Sequence, residues 1–184
     1  MTKVSDKVWE FQLSGIEDLR ELSGRLGVRL DVRQDVSILA EPVQIGRLVI
    51  PNSLAIHPME GCDGDSQGRP SKLTLRRYER FAAGGAGLLW AEATAVVPEG
   101  RANPRQLWIN ENNKEAFAAL VRIVKREARN VYRESGIVNR TTNHDTRYTN
   151  HQPIIVLQLT HSGRYSKPEG VAHPMIPQRD PYRD

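Results

Sequence analysis

An α/β fold built on a parallel sheet is what this sequence predicts, and three observations carry the prediction. Apolar runs at Ser53–His57, Gly87–Ala93 and Ile154–Thr160 alternate with two helical segments, Ser71–Ala83 and Asn113–Ser135. Strands apolar along their whole length belong to parallel sheets with both faces covered by helices. Each intervening segment is also long enough for the right-handed crossover that parallel strands require. Strand, helix, strand, helix, strand can open a doubly wound sheet or begin a (β/α) barrel. In either case a ligand belongs at the carboxyl ends of the strands.

Residues 1–37 read as a helical extension. Ser14 and Glu17 match the S-x-x-E capping box, and Ile16, Leu19, Leu22 and Leu26 form one apolar face. From Ile38 to Ile50 the apolar pieces are broken by Pro42 and Gly46, which predicts a small hairpin. Pro58 cuts the first strand short. Ser71 caps the next helix, Leu75, Tyr78 and Ala82 share its inner face, and Gly84 and Gly85 stop it. Val96 to Ile109 is a long loop with room for a hairpin. The longest helix buries Phe117, Leu120, Val121, Val124 and Ala128, with Gly136 as its terminator. Ile137 to Gln152 is polar and irregular, and the residues after Thr160 read as loop.

Composition narrows the function classes. The 184 residues are 39% hydrophobic and 26% charged, enough for one domain with a real core. The net charge of +4 comes from basic residues interleaved with acids, as in RRYER. That pattern, with 6% aromatics, argues against a nucleic-acid surface. A single cysteine, Cys62, excludes an internal disulfide and two-cysteine metal motifs. The polar opening MTKVSDKVWEF is no signal peptide, and Phe81–Pro98 carries three glycines and Glu92, a poor membrane span. The expectation is a soluble cytoplasmic protein without membrane or nucleic-acid partners.

At the strand ends stand His57-Pro58-Met59-Glu60, Glu92-Ala93-Thr94 and Gln158-Leu159-Thr160-His161. A glutamine in an apolar strand costs free energy unless its amide is hydrogen-bonded. One amide offers a donor and an acceptor, which suits a heteroaromatic ring with imide-like edges, although such a residue is commonly structural. Ala93 leaves room for a flat ring. GGAG at 84–87 precedes a strand and is no dinucleotide fingerprint. His161-Ser162-Gly163 has no orienting acid for a triad. His144 and His151 could ligate a metal but fit a polar loop better.

In IGRLVIPNSLAIHPMEG, LTLRRYERFAAGGAGLLWAEATAVVPEGR and IIVLQLTHSGR, the chain resembles the amino-terminal half of the old yellow enzyme family, the NADH:flavin oxidoreductases. The resemblance covers roughly Ile38 to Arg164. It implies the first three units of a (β/α)8 TIM barrel, closed at its floor by the 43–50 hairpin. The cofactor implied is FMN, with NADH or NADPH as reductant and a small electrophile as substrate. His57, Pro58 and Met59 would contact the flavin, Glu60 would lie near its reactive edge, Ala93 against the ring, and Gln158 on the pyrimidine edge. Cys62 falls where some relatives place a substrate contact, and otherwise reads as an ordinary buried thiol. Many relatives carry Cys or Thr where this chain has Glu60, and a carboxylate there opposes an anionic reduced flavin unless protonated or paired.

A whole barrel needs about 250 residues. The expectation is therefore that residues 38–184 are a truncated half of a flavin-binding barrel, with the catalytic groups of the family outside this chain. The alternative is a non-catalytic half-barrel that self-associates or binds partner chains through its edges.

Overall fold

The computed structural model describes residues 13–134 and 152–177, apart from the side chains of 133 and 134. The chain divides into two units, Met1–Val36 and Ser37–Asp184. In the first, α1 (Ile16–Leu26) begins after Gly15, which supplies no side-chain cap. The predicted Ser14–Glu17 capping box is replaced. Ser14 instead gives both its N–H and its hydroxyl to the Asp18 carboxylate one turn in. That carboxylate sits in the first turn, where the helix dipole favours it. The helix ends at Gly27 in the left-handed region (φ 64°), and Val28 N–H returns to Ser23 C=O. Ile16, Leu19 and Leu22 are half-buried, while Leu26 is exposed.

The second unit opens with the predicted hairpin. Strands β1 (Val43–Ile45) and β2 (Leu48–Ile50) pair antiparallel around Gly46 at φ 59°. Buried Asn52 then ties the end of the hairpin to residues 85–87. Its amide oxygen accepts from Leu54 N–H and Gly87 N–H, and its nitrogen donates to Gly85 C=O. No Cβ fits at Gly87, because it would meet Asn52 C=O at 2.9 Å. The linker after the hairpin and the entry to the strand at Leu88 are thereby clamped together.

The apolar runs form the parallel sheet. Its order is β3 (Ala55–Ile56), β4 (Leu88–Ala95), β5 (Ile154–Thr160), all parallel. The first strand is only two residues long, shorter than Ser53–His57. Helices α2 (Lys72–Ala83) and α3 (Lys114–Glu134) are the crossovers. Ser71 caps α2 through a reciprocal pair with Thr74, and Gly84 and Gly85 close it. Tyr78 and Ala82 of α2, Leu89 and Ala91 of β4, and Leu120 and Val124 of α3 make the core, with Ile155 and Leu157 against them. Phe117 and Ala128 are buried as predicted, and Val121 is half-buried.

Two expectations are corrected. The described helices cover one face of the sheet, not both. Trp90, which alternates with Leu89 and Ala91, lies on the other side and is 43% exposed. The long loop after β4 forms no hairpin. Leu107–Ile109 instead runs beside the end of β4, with Ala95 N–H on Leu107 C=O and Ile109 N–H on Ala95 C=O, a parallel bridge. Gly136, His144 and His151 lie outside the described residues. No helix among the described residues is long and apolar enough to cross a membrane.

Candidate functional site

Parallel pairing sets the carboxyl ends of the three strands side by side. Between β4 and β5 the register runs Ala91 with Leu157, then Thr94 with Leu159. Two residues of β4, Glu92 and Ala93, therefore oppose one residue of β5, Gln158. This is a β-bulge, a device that re-aims side chains at the end of a strand. In an unbroken strand Glu92 would point away from the side taken by Ala91. With the extra residue, its carboxylate reaches Arg77 and Tyr78 on α2, the helix that also covers Ala91.

Glu92 is 1% exposed and its carboxylate is fully engaged. Arg77 Nη2 donates to it at 2.7 Å, and Gly61 N–H donates to its other oxygen at 2.9 Å. Arg77 Nη2 also meets Asp63 Oδ1 at 2.8 Å, and Thr74 Oγ1 donates to that same oxygen. Burial works against the Arg77 charge, but the bonds and charges of Asp63 and Glu92 prevail and raise its pKa. The Tyr78 phenol accepts from Glu92 N–H at 2.7 Å. Burial, with the Glu92 charge, pushes it up to about 12 against that bond. A Cβ at Gly61 would stand 2.1 Å from Arg77 Nη2, so a side chain there would push the guanidinium from its place between Asp63 and Glu92. One buried ion pair thus fixes the course of residues 57–64.

The loop after β4 contributes a second tie. Buried Gln106 donates from Nε2 to Glu60 Oε1 at 3.2 Å and to Ala93 C=O at 3.1 Å. Partial shielding of the Glu60 carboxyl, and then the Glu92 charge, raises its pKa. Gly64 N–H on Arg105 C=O and Trp108 N–H on Gly68 C=O lace the two loops together.

The six predicted cofactor residues occupy these strand ends. His57, Met59 and Glu60 are exposed, Met59 at 73%, and Pro58, Ala93 and Gln158 are half-buried. Gln106 joins Glu60 to Ala93, and the bulge sets Ala93 opposite Gln158. The Gln158 amide has no hydrogen-bond partner among the described residues. Cys62 is exposed and not the buried thiol of the alternative reading. It sits at φ 48° and accepts from Asn103 Nδ2 at 3.3 Å. Shielding of its thiol, then the charges of Glu60 and Glu92, push its pKa up against that bond. Among the described residues no group of three His, Cys, Asp or Glu side chains could hold a metal. Sequence reading missed Arg77, Asp63 and Gln106, and gave Glu92 no role. The available signal was a carboxylate inside an apolar strand, which demands a buried cation.

No protein-family model matches the chain. It is 29% identical over 150 residues to the NADPH dehydrogenase of Bacillus cytotoxicus, covering 79% of this chain and 35% of that enzyme. The chain thus spans about a third of the length of this curated relative, 35%. A solved 2-naphthoyl-CoA reductase in complex with 2-naphthoyl-CoA aligns with a TM-score of 0.56 at 16% identity, over 72% of this chain and 17% of its own. The old yellow enzyme from Pichia sp. aligns at 0.52 and 20%, over 70% and 28%. The structural likeness shows the fold. The described residues are α/β and form no closed barrel.

Proposed function

We propose that this chain, similar to old yellow enzymes over about 70% of its length, is part of an FMN-dependent NAD(P)H oxidoreductase that reduces a small activated electrophile. The observation that carries this reading is the bulge at the end of β4. It sets Glu92 and Ala93 against Gln158, whose amide is left without a partner among the described residues. An unpartnered amide beside a small residue fits the edge of a flat heteroaromatic ring that carries its own donors and acceptors.

Gln158 would hold the pyrimidine edge, Ala93 would leave space for the ring, and His57, Pro58, Met59 and Glu60 would border it. FMN, when bound, supplies acceptance of hydride from a nicotinamide and its delivery to the electrophile. The residues of this chain orient and enclose. Glu92 and Arg77 keep the loop after β3 in place, and Gln106 keeps Glu60 beside Ala93. Binding of this kind contributes to rate by positioning.

The alternative, a non-catalytic half-barrel, draws support from Trp90 on the uncovered face of the sheet. Purification separates the two. The first reading expects the chain to take up FMN saturably and the bound flavin to bleach with NADPH. A chain that takes up no flavin and elutes as an oligomer supports the second.

A further inference from the structure

On α2, Lys72, Arg76 and Arg80 recur every fourth residue and are exposed, opposite buried Tyr78 and Ala82. On α3, Arg122, Lys125, Arg126 and Arg129 are exposed opposite buried Leu120, Val124 and Ala128. Both helices cross over between strands of one parallel sheet, and they pack side by side. A bridge of 3.3 Å from Arg126 to Glu79 ties the two rows together, and Glu79 shares a turn with Arg76 and Arg80. The alternation in RRYER therefore does not survive folding. Tyr78 is buried and Arg77 turns to Glu92, while Arg76 and Arg80 stay outside.

Acids do not neutralise this face. Glu79 and Glu127 both meet Arg126, and Glu115 lies 3.9 Å from Arg122. Lys72, Arg76, Arg80, Lys125 and Arg129 have no acidic partner among the described residues. The cations of α3 also line, with Asn130, a shallow depression of about 350 Å³.

We propose that this two-helix face adsorbs the protein to an anionic phospholipid surface. Two packed helices set their outer rows about 8–10 Å apart, and each row is about 10 Å long, so both rows meet a flat surface together. No aromatic residue is among the exposed positions described on either helix, so the face has neither a stacking platform for nucleic-acid bases nor an aromatic anchor for a protein partner. Apart from exposed Leu73, the apolar sides of α2 and α3 are occupied in the core, and attachment is by charge without insertion. This departs from the sequence expectation of no membrane partner, which rests on the lack of a spanning segment; adsorption by charge needs none. The strand-end site is not part of the face, so the proposal stands whether or not the chain takes up flavin.

Vesicle sedimentation tests it. The 184-residue chain is expected to sediment at low salt with phosphatidylcholine vesicles containing about 30% phosphatidylserine, and not with phosphatidylcholine alone. Binding is expected to be lost at about 0.5 M salt, where unscreened charge reaches only about 4 Å. Each Lys or Arg at such a surface contributes about fivefold to the partition coefficient. Arg76→Gln/Arg80→Gln on α2 and Lys125→Gln/Arg129→Gln on α3 are therefore each expected to weaken partition about thirtyfold. Glutamine preserves the helix. Arg29→Gln/Arg47→Gln removes the same charge from exposed positions off this face, and is expected to change partition less than about threefold. Should one pair on the face unfold by circular dichroism, the other pair against this control decides. No binding to the anionic vesicles overturns the proposal, and so does equal weakening in all three double variants. Salt-sensitive binding of a DNA duplex that anionic vesicles do not displace would assign the face to nucleic acid and overturn it as well.

Discussion

Replacing Arg77 with Met lowers the unfolding free energy by about 3–5 kcal/mol, because it strands a buried charge. Glu92 is 1% exposed, and Arg77 is its cationic partner, itself only 21% exposed at the side chain. Asp63 loses the same contact. Taking away the cation leaves Glu92 with the Gly61 N–H and the Tyr78 phenol alone. The paired variant Arg77→Met/Glu92→Gln recovers a large part of the loss, since Glu92 then leaves no charge in the interior and the amide oxygen still accepts from Gly61. Urea unfolding of the single and double variants reads both values. Equal losses in the two would mean that Arg77 acts through packing and not through charge. The consequence extends to the site, because the loop carrying Met59 and Glu60 is pinned by Glu92 at Gly61.

Replacing Gln158 with Leu weakens flavin binding by about 1–3 kcal/mol, roughly fivefold to 150-fold in dissociation constant. The size of the side chain is kept and its donor and acceptor are removed. Stability is expected to hold or rise, because the amide has no partner to lose among the described residues and leucine is at home in an apolar strand. That pairing of weaker binding with undiminished stability is the signature of a ligand-facing polar group. A variant that binds FMN as the wild type does would remove Gln158 from the site.

Much of the frame was legible because it rests on local chemistry. Ser71 before an apolar-faced helix, Gly84 and Gly85 after it, and the apolar run Ile154–Thr160 all state their structure within a few residues. The hairpin at 43–50 follows from Gly46 in the same way. What could not be read depends on partners far away in sequence. Arg77 meets Glu92 fifteen residues on, and Gln106 meets Glu60 forty-six residues back. Neither position differs locally from a surface arginine or a loop glutamine. The bulge was illegible too, since one extra residue in a strand leaves no mark on an apolar pattern. The capping box failed because Asp18, the residue after Glu17, takes both donors of Ser14.

The bland part of the surface has the same local origin. Two of the basic residues of α3 keep acidic neighbours in space. Arg126 meets Glu79 and Glu127, and Arg122 lies 3.9 Å from Glu115. Exposed pairs of this kind contribute little stability, and Arg122, Lys125, Arg126 and Arg129 together line one surface of that helix.

Amide mapping of the isotopically labelled chain during titration with FMN reads whether the three strand ends share one ligand. Saturable shifts are expected at Met59, Glu60, Ala93 and Gln158, three segments distant in sequence responding with one dissociation constant. Shifts confined to the Arg122–Arg129 surface of α3, or no saturable shifts at those four residues, would contradict it.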